Sequence, residues 1–169
     1  MKAVHLLIAA GSALALSACG YHLGGMKPDS MKDMHTFCVE VFENESLYPN
    51  AGMLMTTAMG NALQSDGTYR MAPHGQADFI VKGKVARIER ESLITDSEDT
   101  YISKQIGARV YVQYQVVDRK TGKNLISSEE EEVGEFFNQI GNNESAEEAA
   151  ISYATRRIAD EIVIALVTE

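Results

Sequence analysis

The spacing of apolar residues after residue 36 changes repeatedly between that of strands and that of helices. Aromatic and β-branched side chains from Phe37 to Phe42 predict a first strand. Apolar residues then recur every three or four positions from Ala51 to Ser65, which predicts an amphipathic helix with methionines in the core. Gly67 is suited to the left-handed turn that ends such a helix.

Three further strands follow in the pattern. Alternation from Ala77 to Glu89 predicts the second strand, and Gly83 within it indicates a bulge or a close approach of another segment. Apolar residues alternate strictly from Ile106 to Asp118, which predicts the third strand. A turn containing Gly122 then leads into a fourth strand from Leu125 to Phe137.

A second amphipathic helix, from Ser145 to Val167, completes the pattern. The element order is thus β-α-β-β-β-α, with no internal repeat. We predict an α+β fold in which two helices pack on one face of a four-stranded mixed sheet. The third strand would then place Tyr111, Gln113 and Gln115 on the opposite, open face, where a binding surface could lie.

Four consecutive glutamates, Glu129 to Glu132, lie in the predicted fourth strand. Charged residues are typical of edge strands, because they discourage pairing with the edge of another sheet. The run is therefore interpreted as the solvated face of an edge strand. An acidic contact surface for a partner is the alternative.

The first residues of the chain have the parts of a secretory signal peptide. Lys2 gives a positive start, Leu6 to Leu16 form an apolar run, and small residues precede Cys19. The apolar run is shorter than the ~20 residues that a membrane-spanning helix needs. We therefore expect the segment to direct secretion and not to be a permanent membrane anchor.

The segment Leu16-Ser17-Ala18-Cys19 resembles the lipobox of bacterial lipoproteins. The resemblance implies cleavage before Cys19 and acylation of its thiol and new amino group. Gly20 follows the cysteine, where an aspartate would resemble the inner-membrane retention signal of enteric bacteria, so the outer membrane is expected, with the domain facing the periplasm. Two or more acyl chains hold a protein stably on a membrane where one does not. A plain signal peptide near a buried cysteine is the alternative. The expected organisation is a lipoprotein signal peptide at 1–18, a lipidated tether at 19–35 and a single α/β domain at 36–169.

Composition and charge exclude several other kinds of function. The chain has 15 basic and 24 acidic residues and a net charge of −9, so nucleic-acid binding is not expected. His35 and Cys38 lie three apart, but no second pair completes a metal site, and no cofactor is predicted. If Cys19 is lipidated, Cys38 has no partner for an intramolecular disulfide, and we expect a buried thiol.

Three segments together resemble the LptE family of lipopolysaccharide-assembly lipoproteins. The start Cys19-Gly20-Tyr21-His22-Leu23 is similar to that family's mature N-terminus. The stretch from Val39 to Pro49, with Asn44 and Ser46, is similar to its strand-loop-helix signature. The stretch from Ala77 to Gly83 resembles its second strand.

The resemblance implies a function that the residue pattern alone does not. Members of the family sit as a plug in the lumen of an outer-membrane β-barrel, help the barrel to assemble, and deliver lipopolysaccharide to the outer leaflet with it. They also bind lipopolysaccharide. The expected partners are therefore the barrel, lipopolysaccharide and the membrane that holds the Cys19 anchor.

A basic turn stands out on this acidic chain, because Arg119, Lys120 and Lys123 lie within five residues between the third and fourth strands. Phosphates of a glycolipid would be attracted to such a turn. We hypothesise that these three residues contact lipopolysaccharide. An ordinary solvated turn is the alternative.

Two other classes of function are alternatives to this one. An enzyme is not expected, because no nucleophile elbow, phosphate-binding loop or zinc-protease motif is present in the sequence. A periplasm-facing lipoprotein adaptor that activates a cell-envelope enzyme, such as a peptidoglycan synthase, needs the same anchor and an interface but no barrel.

Overall fold

The computed structural model describes residues 27–95, 103–138 and 143–168, and the fold is built from these. A short 3-10 turn at Asp29–Met31 precedes the first strand. The other elements are β1 (Thr36–Val39), β2 (Glu43–Asn44), α1 (Ala51–Asp66), β3 (Arg70–Met71), β4 (Phe79–Thr95), β5 (Ser103–Asp118), β6 (Asn124–Asn138) and α2 (Asn143–Val167).

The strands form one mixed sheet in the order β3-β1-β4-β5-β6, with β2 paired to β4 beyond the end of β1. The pairs β1–β3, β1–β4 and β2–β4 are parallel, whereas β4–β5 and β5–β6 are antiparallel. The α+β fold with two helices and a mixed sheet is confirmed. The strand β6, which contains Glu129 to Glu132, lies at an edge, as predicted.

The predicted number of four strands is wrong, since the residues that the structure describes form a sheet of six strands. The first predicted strand is split into β1 and β2, because the backbone N–H of Phe42 leaves the sheet and donates to Thr56 Oγ1 of α1 at 2.9 Å. The additional strand β3 has only two residues, too few to show a period. It exists because Arg70 N–H and Ala72 N–H reach the carbonyls of His35 and Phe37 at 2.9 and 2.8 Å.

Both helices pack on one face of the sheet and bury its alternate residues. The methionines of α1 enter the core as predicted, and Met55 and Met59 are fully buried there. Burying an apolar side chain of this size contributes roughly 1.5–3 kcal/mol to the free energy of unfolding. The partners from the sheet and α2 include Val110, Val112, Val116, Ile151, Ile158 and Ile162.

The core extends N-terminally beyond β1. Met31 is fully buried, and the Lys27 ammonium lies 5.1 Å from the centroid of the Tyr69 ring. The Tyr69 hydroxyl donates to the Leu166 carbonyl at 2.9 Å, which ties the end of α2 to the same place. Burial, together with the nearby Asp66 carboxylate, raises the pKa of Tyr69 to about 12. The predicted boundary between tether and domain at residue 36 stays a prediction, but the packing begins earlier.

The carboxylate of Asp78 fixes the start of β1 against the start of β4. Its Oδ2 accepts hydrogen bonds from the backbone N–H groups of His35 and Thr36 at 2.9 and 3.1 Å. It also accepts one from Thr36 Oγ1 at 2.9 Å. These bonds favour the charged form, so the pKa of Asp78 lies below its usual range, with the His35 N–H as the largest cause.

Gly83 lies where β4 crosses the core and confirms the predicted close approach. A Cβ atom there would overlap the carbonyl oxygen of Gln113 and lie 2.6 Å from Phe42 Cε1. The bulge of β4 lies nearby but elsewhere, between Val85 and Arg87.

Replacing Gly83 by alanine is expected to destabilise the protein, because the new methyl group meets backbone that cannot move away. We expect the free energy of unfolding to fall by about 1–3 kcal/mol. Urea denaturation of the purified protein measures this change. Gly75→Ala is the matched control, since a Cβ at Gly75 meets nothing within 4 Å. Equal stability of the two variants would contradict the packing.

The Asp78 carboxylate is expected to make stability depend on acid pH. An unfolded aspartate has a pKa of about 3.9, and the folded value is lower. The stabilisation is therefore complete above about pH 4 to 5 and is lost as the pH falls through the folded pKa. Asp78→Asn should cost about 1 kcal/mol at neutral pH, after allowance for its partial exposure.

The measurement is thermal unfolding of both proteins from pH 7 down to pH 2. The difference in Tm between wild type and Asp78→Asn should shrink toward the acid end. Asp160→Asn, which removes an exposed carboxylate on α2, serves as the control. A difference that stays constant over the whole range would refute the assignment.

Candidate functional site

The face of the sheet opposite the helices carries a polar groove of about 680 Å³. Its floor consists of cross-strand rows. One row joins Lys82 of β4, Gln115 of β5 and Ser127 of β6. A second row joins Lys84 to Gln113. The segment between β1 and β2, with Glu40 and Val41, forms one wall together with Glu43 of β2.

The side chains on this floor are available to a partner. Lys82, Gln113, Gln115 and Ser127 make no side-chain hydrogen bond to another residue in the part of the chain that the structure describes. Lys84 differs, because its ammonium pairs with Glu45 at 2.9 Å. The groove thus offers amides, a hydroxyl and one ammonium group to hydroxyl-rich or charged partners.

Tyr111 shares the open face with Gln113 and Gln115, as predicted, but it is covered. The Arg87 guanidinium lies 3.4 Å from the centroid of its ring, and the hydroxyl donates to Glu89 Oε2 at 3.1 Å. Only 6% of Tyr111 is exposed. The aromatic ring is therefore part of the structure of this face and does not present itself for stacking.

Cys38 also lies on the open face. The sequence predicts a buried thiol there, whereas in the structure the residue is half-buried. The difference arises from register, because Phe37 and Val39 take the core side of β1. Burial, and next the charge of Glu40, raise the pKa of the Cys38 thiol. A thiol with a raised pKa is a weak nucleophile, so nothing here indicates a reactive cysteine.

The basic turn between β5 and β6 is organised by Asp118. Its Oδ1 accepts hydrogen bonds from the backbone N–H groups of Lys120 and Thr121 at 2.7 and 3.0 Å. These bonds hold the pKa of Asp118 below its usual range, and the Thr121 N–H is the largest cause. Gly122 adopts a φ of 70°, so the predicted glycine of the turn takes the left-handed conformation.

The three cations of this turn lie together but differ in what they can do. Arg119 is half-buried, and its Nε donates to the Ala77 carbonyl at 2.5 Å, so this side chain holds the turn against β4. Lys120 is exposed, and its charge lowers the pKa of both Asp78 and Asp118. Lys123 is exposed and makes no side-chain bond to another described residue.

Asp78 is the site residue that the sequence analysis missed. It joins the turn to β1, because its backbone carbonyl accepts the Arg119 N–H at 3.0 Å and its carboxylate holds His35 and Thr36. Its position between Ala77 and the apolar start of β4 could have indicated a residue that caps the strand.

Two features that the sequence predicts lie outside what the structure describes. These are Cys19 and the side chains of Glu129 to Glu132. Within residues 27–95, 103–138 and 143–168, no three His, Cys, Asp or Glu side chains are grouped to hold a metal ion. None of the helices in these ranges is long and apolar enough to cross a bilayer.

The chain is similar to solved structures of two bacterial proteins. A PelC variant from Paraburkholderia phytofirmans, solved as a dodecamer, is 16% identical. The comparison covers 85% of this chain and 94% of that one at a TM-score of 0.52. A minor lipoprotein from Acinetobacter baumannii is 12% identical over 76% of this chain and 89% of that one, with a TM-score of 0.44. At such identities the PelC comparison shows a shared fold alone.

Comparison with curated protein sequences finds no match. In contrast, the family model for lipopolysaccharide assembly, LptE, matches residues 34–166. The match spans β1 to α2 and therefore nearly the whole described domain. The chain belongs to the LptE family of lipopolysaccharide-assembly proteins.

Proposed function

We propose that this protein is a lipid-anchored plug of an outer-membrane β-barrel that delivers lipopolysaccharide to the outer leaflet. The observation that carries the proposal is the family match over residues 34–166. The LptE family is non-enzymatic, so the role is one of binding and assembly. The protein would occupy the barrel lumen and help the barrel to assemble.

The open face of the sheet suits such a location. Large outer-membrane barrels have polar interiors. The groove with Lys82, Gln115 and Ser127 presents polar side chains over three neighbouring strands, whereas the opposite face of the sheet is covered by the helices. A domain with one polar sheet face can lie against a polar, hydrated wall without exposing apolar surface to water.

Cys19 is proposed to carry the acyl anchor of the mature protein. The support is the register of a positive start, an apolar run and a lipobox before this residue. Burial of acyl chains contributes about 0.8 kcal/mol per CH₂, so two chains or more suffice to keep the domain at the membrane. The anchor would hold the domain on the periplasmic side of the outer membrane.

Arg119, Lys120 and Lys123 are proposed as contacts for lipopolysaccharide phosphates. Lys120 and Lys123 have exposed ammonium groups that can reach a phosphate. Arg119 supports them, because its bond to the Ala77 carbonyl fixes the position of the turn.

Copurification from outer membranes tests the function as a whole. The tagged protein, extracted in mild detergent, is expected to bring down a large heat-modifiable barrel, because a plug is enclosed by its partner. Mass spectrometry of the captured proteins identifies the partner class. Another outer-membrane lipoprotein with the same tag is the control for a shared membrane. Capture of a penicillin-binding protein without a barrel would support the adaptor function and refute the plug function.

The anchor is tested separately with Cys19→Ala. Without the thiol no diacyl group can be added, so the chain should stay soluble in the periplasm or keep its signal peptide. Fractionation and mass spectrometry of the N-terminus report the outcome. Cys38→Ala is the matched control and should leave the membrane fraction unchanged. A Cys19→Ala chain that is cut normally and still sediments with the outer membrane would contradict the anchor.

A further inference from the structure

The connection from β2 to α1 presents a leucine to solvent on a fixed support. We define the Leu47 loop as residues 44–50. Leu47 is fully exposed, and Val41, which lies before β2, is 64% exposed. A single exposed apolar side chain is common on protein surfaces, so exposure alone indicates nothing. The Leu47 loop differs because its backbone is held by a network of hydrogen bonds.

Two polar side chains hold the backbone on both sides of Leu47. The Asn44 Oδ1 atom accepts hydrogen bonds from the N–H and the hydroxyl of Ser46 at 3.0 and 2.6 Å. The Asn44 Nδ2 atom donates to the Tyr48 carbonyl at 2.9 Å, and the Tyr48 N–H donates to Ser46 Oγ at 3.3 Å. Leu47 lies at the centre of this network, which keeps its side chain directed outward.

The base of the Leu47 loop is fixed against α1. The Phe42 N–H donates to Thr56 Oγ1 at 2.9 Å, and a Cβ atom at Gly52 would overlap the Phe42 carbonyl oxygen. Asn50 turns the chain into the helix with a φ of 64°, and among the described non-glycine residues it alone has a positive φ. A loop that is already ordered loses little conformational entropy when it binds, which favours specific contact with a partner.

The Leu47 loop begins a stretch without charge on an acidic chain. Residues 46–65 include no charged side chain, although 23% of all residues are charged. The exposed side chains of α1 in this stretch include Met53, Thr57 and Asn61. The cores of protein–protein interfaces are depleted in charged residues and enriched in methionine. Lipid phosphates meet no cation here, and a few separate apolar side chains offer a bilayer little area, so the composition favours a protein as the occupant.

We infer that Leu47 is an anchor that enters an apolar socket on the polypeptide of the barrel. This inference rests on the proposed plug function. The Leu47 loop continues the open face, because Glu40, Val41 and Glu43 form one wall of the groove and lead directly into the loop. A barrel wall that lies against the groove passes the loop as well. The polar groove and the apolar anchor then contact neighbouring parts of one partner.

Competition for the barrel within one cell tests the anchor. Full-length wild type and Leu47→Asp, with different tags, are expressed together, and complexes are isolated through a tag on the barrel that copurification identifies. The measured quantity is the ratio of the two lipoproteins in the complex, divided by their ratio in the whole outer membrane. Leu47→Asp should be depleted about tenfold, because an apolar socket cannot accept a carboxylate. Leu47→Met should compete as well as wild type, because its side chain is apolar and of similar volume.

Ile164→Asp is the matched control, since it adds the same charge at an apolar residue that is 57% exposed on α2. This variant should compete as well as wild type. The Tm of purified Leu47→Asp should equal that of wild type, because the fully exposed Leu47 side chain is not part of the core. Equal competition by Leu47→Asp and wild type, an equal loss in Ile164→Asp, or a fall in Tm that accounts for the loss would overturn the inference.

Asn44→Ala tests the support of the anchor. It leaves Leu47 in place but removes the three hydrogen bonds of the Asn44 side chain. The variant should compete about threefold less well than wild type, because the loop must then be ordered on binding. Gln76→Ala, which shortens an exposed amide before β4, is the control and should compete equally with wild type. Equal competition by both alanine variants would contradict the role of the rigid loop.

A photoreactive benzophenone side chain at position 47 identifies what the anchor touches. Irradiation of living cells should join the lipoprotein to the barrel, and mass spectrometry locates the attached segment. A crosslink to a second copy of this chain or to lipid would overturn the inference. If wild type captures no barrel at all, the plug function and the anchor are refuted together. If wild type captures the barrel and Leu47→Asp competes equally, the anchor alone is refuted.

Discussion

The burial of one face of the sheet by two helices is the constraint on which this domain depends. Alternate residues of β4 and β5, such as Val81, Val85, Val110 and Val112, are fully buried on that side. A sheet residue whose side chain points the other way can then be polar without cost to the core. The separation of the two faces explains why an acidic chain with 45% hydrophobic residues folds as one body and still presents a polar surface.

The parallel strand β1 joins this core to the end of the sheet at which β4 begins. This strand is short. Hydrogen bonds to Asp78, pairing with the two residues of β3 and the buried Met31 stabilise its position. The turn between β5 and β6 is attached to the same unit through Arg119 and Asp78. The segment after Lys27, the turn and the end of α2 therefore meet at one end of the sheet.

A protein of the LptE family acts in lipopolysaccharide assembly, and the structure divides its surface in a way that fits this setting. The polar open face, the face covered by the helices and the basic turn between β5 and β6 differ in chemistry. In the proposed arrangement the open face meets a polar barrel wall, and the basic turn meets lipopolysaccharide. Barrel contact and lipid contact then use separate residues.

The sequence by itself determined the elements with long periodic patterns, because α1, β4, β5, β6 and α2 are all visible in the spacing of apolar residues. The family resemblance came from the sequence too, through the motifs that begin at Cys19, Val39 and Ala77. The sequence also indicated either a bulge or a close approach at Gly83, because a glycine inside a strand pattern often marks one of the two, and the structure shows the close approach. Only the tertiary structure decided the number of strands, since β3 consists of Arg70 and Met71 and depends on a strand more than thirty residues away. It also decided that Tyr111 is covered by Arg87 and that Arg119 is a support for the turn. These outcomes depend on contacts between residues that are distant in sequence, whereas periodicity reports only which side of an element a residue takes.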